Sequence, residues 1–222
     1  MGNGQWAIGN GQWAIGRRRE AIGGEEKGLG FGMTTQGPGG QGERTLLDQP
    51  VKRLVELIRD VPDFPKPGVV FKDFMPLLAD AGALALAVEL MANPYRGRGV
   101  DVVVGAESRG FIFGTAVASA LSAGFVPVRK PGKLPGRVVG VDYALEYGRD
   151  RLEMSAGAVR PGMKVLLVDD LLATGGTLKA CAELVTGAGA ELAGITVLIE
   201  LLALGGRGQI VGHPEVHAVI RM

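Results

Sequence analysis

Four short apolar runs restrict this chain to few architectures: residues 101–105, 125–129, 165–168 and 192–199. The first and third each lead through glycine into a helical pattern, at 110–121 and 177–185. The runs are apolar nearly throughout rather than at every second residue, so each expects burial on both faces. Strands of that kind alternating with helices make a parallel sheet covered on both sides. The fold class expected is therefore α/β, with a central, mostly parallel sheet.

The chain's 222 residues suit one substantial domain with a real core and are short for two. A formal charge of +1 gives no basic excess to suggest nucleic acid. No apolar run reaches membrane-spanning length, so no membrane partner is expected. The single cysteine, Cys181, sits between Ala180 and Ala182 in a helical pattern and reads as a core residue. A reducing, cytoplasmic setting fits that usage.

Residues 1–49 differ from the rest. They hold both tryptophans, and NGQWAIG at 3–9 recurs unchanged at 10–16. Glycine, glutamine and charge dominate from there to residue 42, and such a segment buries too little apolar surface to offset its ordering entropy. The expected division is a disordered, glycine-rich extension over 1–49, with Met33 as an alternative start, and one domain over 50–222. Leu54, Leu57, Ile58 and Val61 follow helical spacing. The proline-rich stretch 62–68 breaks that pattern, and residues 83–91 read as a helix ending near Asn93-Pro94. Residues 130–148 (KPGKLPGRVVGVDYALEYG) show no sustained period. A long loop inside a compact domain is usually functional, so a lid is expected there.

The chemistry concentrates in VLLVDDLLATGGT, residues 165–177. Its apolar run is a buried strand, and the helix expected from Thr177, with Thr177 as N-cap, places the loop at a strand's carboxyl end. Ala173, Thr174, Gly175, Gly176 and Thr177 offer converging N–H groups, hydroxyls and a helix N-terminus, the makings of a phosphate site. Asp169 and Asp170 precede it. Adjacent carboxylates accept hydrogen bonds from a diol, and in a phosphorylated ribose the diol and the phosphate are held apart. An acidic metal-binding pair is the other reading, and the two overlap if magnesium rides on the ligand. Ala106, Glu107, Ser108 and Arg109 likewise follow a strand and open a helix, an arrangement for a second anion.

VLLVDDLLATGGT resembles the phosphoribosyl pyrophosphate signature of the type I phosphoribosyltransferases. DFPKPGVVFKD (63–73), GAESRGFIFG (105–114), RKPGKLP (129–135) and YALEYG (143–148) resemble, in that order, the adenine phosphoribosyltransferase family. The resemblance spans residues 54 to about 207. It implies the type I fold, with helices on both sheet faces, a small hood at about 62–76 and a flexible catalytic loop at about 130–148. It also implies conversion of adenine and 5-phosphoribosyl 1-pyrophosphate into AMP and pyrophosphate, with Mg2+, by a homodimer in purine salvage.

The resemblance assigns Asp169 and Asp170 to the ribose and Ala173 to Thr177 to the 5-phosphate. Ala106, Glu107, Ser108, Arg109, Arg129, Lys130 and Lys133 fall to pyrophosphate, with Glu107 alternatively holding the loop's shape. Val70, Phe71, Lys72 and Leu171 fall to adenine, and Glu146, with Arg109, to catalysis. Tyr147 reads as lid packing. No direct protein ligand to the metal is expected; magnesium arrives with the donor near Asp169 and Asp170. Three departures stand out: Lys72 where arginine is expected, the apolar Val138-Val139-Gly140 in mid-loop, and Gly205-Gly206-Arg207 for a Lys-Gly-Arg run. The alternatives are another purine as acceptor, or a non-catalytic sensor of the donor.

Overall fold

The computed structural model describes residues 42–144, 149–210, 212, 214 and 216–222. A seven-stranded sheet forms the centre, in the order β5 (Val138–Ala144), β6 (Arg149–Ser155), β4 (Gly124–Arg129), β3 (Val102–Ala106), β7 (Lys164–Leu172), β8 (Glu191–Glu200) and β9 (Val216–Arg221). Strands β4, β3, β7, β8 and β9 run parallel, while β6 pairs antiparallel with both β4 and β5.

The continuous apolar runs are explained by two cores, one on each face. Val102, Val104, Val165 and Leu167 pack in one with Leu178, Cys181 and Val185 of α5 (Gly176–Gly187). Val103, Leu166 and Val168 pack in the other with Ala87 and Met91 of α3 (Ala81–Ala92) and Phe113 and Val117 of α4 (Gly110–Leu121). Strand side chains alternate in direction, so a strand covered on both sides must be apolar at every position. Cys181 is buried among these core residues, and burial pushes its thiol well up.

Four sequence readings change. Helix α1 spans Gly42–Glu56, so it begins N-terminal to the break placed at Pro50 and takes Pro50 into its interior. Glu43, Arg44, Leu46 and Leu47 are good helix formers, which the glycine-rich average of the preceding residues concealed. Leu57, Ile58 and Val61 match helical spacing but lie beyond the helix end: β1 (Arg59–Pro62) pairs antiparallel with β2 (Val70–Asp73), setting Val61 opposite Phe71. A match over two turns does not separate a helix end from a strand start.

The stretch 130–148 is not structureless, because β5 occupies Val138–Ala144. Val139, Val141 and Tyr143 recur at every second residue, and Gly140 leaves room for the Arg151 guanidinium, which a Cβ there would meet at 2.5 Å. The apolar Val138-Val139-Gly140 departure is thus a strand. The cap of α5 is Gly175, at φ +90°, rather than Thr177. The short helix α2 (Met75–Ala79), β6 and β9 have no counterpart in the sequence reading. No helix among the described residues is long and apolar enough to cross a membrane.

Candidate active site

Strands β3 and β7 are neighbours, and their chains leave in opposite directions, through α4 to β4 and through α5 to β8. The carboxyl ends of such a pair open a crevice where α/β sheets bind ligands. The loops after β3 and β7 carry the two segments that the sequence marks for anions. Gly175 turns the chain at a left-handed φ, and α5 starts immediately after it, so the first N–H groups of the helix face the loop. A Cβ on Gly175 would run into the carbonyl oxygen of Gly206, and one on Gly206 into that of Ala173. The loop is therefore seated on the one-turn helix Gly206–Gln209.

Asp169 and Asp170 belong to β7 itself and are 7% and 5% exposed. The Asp170 N–H donates to Asp169 Oδ1 at 3.0 Å. Burial, and then the charge of Asp170, pushes the Asp169 carboxyl well above the ordinary range. Burial raises Asp170 as well, against the opposing pull of Arg109. Arg109 Nε stands 2.9 Å from Asp170 Oδ2, yet that buried oxygen accepts no aligned hydrogen bond among the described residues. The ion pair with Arg109 offsets part of the cost of burying this carboxylate, and a ligand hydroxyl aligned with Oδ2 would add a hydrogen bond.

The cations assigned to pyrophosphate are each held by a carboxylate. Glu107, 7% exposed at its side chain, takes Arg129 Nε on one oxygen and Lys133 Nζ on the other, both at 2.9 Å. Arg129 also donates to the Lys133 carbonyl at 3.2 Å, so one acid shapes the 129–133 turn. Burial acts to raise the Glu107 carboxyl, but its bonds from Lys133 and Arg129 prevail and hold it below the usual range. Lys130 pairs with Asp150 at 2.9 Å. Ala106 ends β3 and Ser108 is exposed in the loop, where the Glu107–Ser108 peptide is cis.

Strands β1 and β2 form a separate two-stranded sheet, at the segment where a hood is expected. Phe71 meets Phe64 edge-on at 5.2 Å, and the Arg109 guanidinium lies 5.2 Å from the Phe71 ring centre. Arg109 thus links the two-stranded sheet to the buried acids of β7. Val70 is half exposed. Lys72 turns its Nζ to Asp60, its cross-strand partner, at 2.7 Å. Leu171 packs against the core formed with α3 and α4. Glu146 and Tyr147 lie outside the described residues.

Two contributors escaped the sequence reading. Phe74, fully buried, offers Arg109 a second ring at 5.7 Å. Gly110 lets the start of α4 approach β7, since a Cβ there would meet Asp169 Oδ1 at 2.6 Å. A glycine directly after Arg109, where a helix begins, was the available signal for the second; nothing local marks the first. Among the described residues no three His, Cys, Asp or Glu side chains gather as a metal site.

The phosphoribosyl transferase domain family matches residues 77–210. An adenine phosphoribosyltransferase of Sorangium cellulosum (strain So ce56) is 60% identical over 150 residues, 68% of this chain and 75% of that protein. The crystal structure of adenine phosphoribosyltransferase from Rhodothermus marinus DSM 4252 superposes with a TM-score of 0.76 at 47% identity, covering 79% of this chain and 99% of that one. The Giardia lamblia enzyme, solved with 9-deazaadenine, gives 0.74 at 40% identity over 78% and 97%.

The chain belongs to the adenine phosphoribosyltransferase family.

Membership agrees with the expected α/β fold and its mostly parallel central sheet. The matched span 77–210 contains Arg109, Asp169, Asp170 and the loop from Ala173 to Thr177. The hood residues Val70, Phe71 and Lys72 precede it.

Proposed function

We infer that the chain transfers the 5-phosphoribosyl group from 5-phosphoribosyl 1-pyrophosphate to adenine, forming AMP and pyrophosphate for purine salvage. The observation that carries this reading is the buried Asp170 carboxylate at the end of β7, paired with Arg109 at 2.9 Å beside the glycine loop in a chain of this family. It is an acceptor placed for a ribose hydroxyl, with a phosphate cradle on one side and cations on the other. The hood supplies Phe71 as a face for the purine. Backbone groups of Val70 and Lys72 read the base edge, and Leu171 forms an apolar wall.

The C1–O bond to pyrophosphate breaks as the C1–N9 bond to adenine forms, and the N9 proton passes to the acid/base residue. Negative charge develops on the leaving pyrophosphate, so cations already positioned beside it lower the barrier. Arg109, Arg129, Lys130 and Lys133 take that part, exchanging Asp170, Glu107 and Asp150 for the anion. The N–H groups of Ala106 to Ser108 line the same side. Glu146 acts as acid/base at the purine, by the family resemblance. Mg2+ would arrive on the donor. The buried Asp169–Asp170 pair suits a metal-bearing diol, and the metal would add positive charge to the diphosphate there.

The protein acts as a cytoplasmic homodimer in this reading, with Arg129 or Lys133 serving a neighbouring site. The decisive assay is AMP formation from adenine and the donor, with hypoxanthine, guanine and xanthine as competitors. Faster turnover of any of these overturns adenine as the acceptor.

A further inference from the structure

Glu153 is a buried acid, 9% exposed, in β6 between Leu152 and Met154, which belong to the core formed with α5. Successive side chains of a strand point to opposite faces, so Glu153 lies on the other face from them. Its register partner in β4 is Arg129, and its partner in β5 is Gly140. Side chains paired across antiparallel strands share a face, so Glu153 sits beside the strand end from which the 129–133 turn departs. Its two oxygens divide. Oε2 accepts the N–H of Gly132 at 3.3 Å, and Oε1 takes Arg151 Nε at 3.3 Å. Arg151 in turn gives Nη1 to Asp142 at 3.1 Å. Gly132 follows Pro131 at the centre of the turn, at φ +76°. The turn is thus gripped in two ways: Glu107 holds the side chains of Arg129 and Lys133, and Glu153 holds the backbone.

We propose that Glu153 is a positioning residue that anchors the backbone of the 129–133 turn, so that Arg129 and Lys133 can leave Glu107 for pyrophosphate without the turn losing its place. The inference rests on the phosphoribosyltransferase reading, which gives those two cations to pyrophosphate. In the unliganded chain, either acid keeps the turn ordered. When pyrophosphate draws both cations, the grip of Glu107 is lost. The Gly132 bond uses no cation and survives. Without Glu153, binding of pyrophosphate must also overcome the entropy of a turn no longer fixed to the sheet. The loss falls on the bound state, so it appears as weaker binding. AMP has no diphosphate to draw these cations, and its binding is spared.

The test is the reverse reaction of the full chain, release of adenine from AMP and magnesium pyrophosphate, with each substrate varied in turn. Glu153→Met keeps the length of the side chain and removes both acceptors. It should raise KM for pyrophosphate about 5- to 20-fold, as for loss of one hydrogen bond to a charged acceptor, and leave KM for AMP within about 2-fold. Glu153→Gln keeps an oxygen for the Gly132 N–H and leaves Arg151 to Asp142. It should return KM for pyrophosphate to within about 3-fold of wild type. General loosening of the hairpin would produce neither the split nor the rescue. An unchanged KM for pyrophosphate in Glu153→Met, equal rises for both substrates, or a Gln variant no better than the Met variant overturns the proposal. Amide exchange in the wild-type chain is a check that needs no variant to fold. Protection of the Gly132 N–H should persist when magnesium pyrophosphate is added, and its loss overturns the proposal. A wild-type chain that makes no AMP from adenine and the donor overturns the functional reading instead, whatever the variants do.

Discussion

Arg109 Nε lies 2.9 Å from Asp170 Oδ2 while its guanidinium stands 5.2 Å from the centre of the Phe71 ring. One side chain therefore pairs with a buried acid of β7 and stands over an aromatic ring of the β1–β2 sheet. A guanidinium does both because it is planar and permanently charged. Arg109→Ala should lower kcat/KM about 100-fold or more, the usual consequence of losing one preorganised charge donor. Steady-state rates with adenine and the donor check this. Arg109→Lys should recover only part, since an ammonium keeps the charge and loses the stacking plane. Because Arg109 opposes the upward shift of Asp170, its removal should also move any acid limb that Asp170 contributes to the rate profile to higher pH.

The buried aspartates carry a stability signature. The folded-state pKa of Asp169 is raised, by burial and then by Asp170. Between the ordinary carboxylate value and that raised value, the folded chain holds a proton that the unfolded chain has released. Stability from this group therefore falls as pH rises through that window. Asn has a similar shape and does not titrate. The advantage of Asp169→Asn over wild type in urea unfolding should grow from about pH 4 toward neutrality. A difference that stays flat with pH would contradict the shift.

The strands most legible in the sequence were those buried on both faces, because only they are apolar at every position. β3, β7 and β8 read directly for that reason. β5 did not: as an edge strand with one covered face it shows only Val139, Val141 and Tyr143 in alternation, interrupted by turn residues on either side. The acids and the glycine loop were legible because their chemistry is local. The partners of the cations were not. Glu107 lies 22 residues before Arg129, and nothing in either segment announces that the turn folds back onto it.

Gly206 makes the loop's seat testable. Arg207 reaches buried Glu200 with Nε at 2.6 Å and Nη2 at 2.8 Å, and its Nη1 donates to the Val216 carbonyl at 2.6 Å. These bonds fix the turn on which Ala173 rests, and a Cβ at Gly206 would collide with the Ala173 carbonyl. Gly206→Ala must displace one backbone or the other, and overpacking of this kind costs about 1–3 kcal/mol. If the strain falls on the phosphate loop, KM for the donor should rise at least about fivefold while KM for adenine changes little. An equal rise in both would place the damage elsewhere.

Lys72 is the departure with the clearest structural answer. Its ammonium is committed to Asp60 on the neighbouring hood strand at 2.7 Å, and Asp60 is well exposed. An ion pair with an exposed partner contributes little, about 0–1 kcal/mol, so its exact form matters little to the fold. With the side chain turned to Asp60, the proposed base contact at this position falls to the backbone, which any residue supplies. Lys72→Arg should therefore leave KM for adenine within about twofold, and Lys72→Ala should raise it by no more than the loss of one exposed pair allows, about fivefold. A tenfold or larger gain in adenine affinity for Lys72→Arg would show that the side chain itself reads the base.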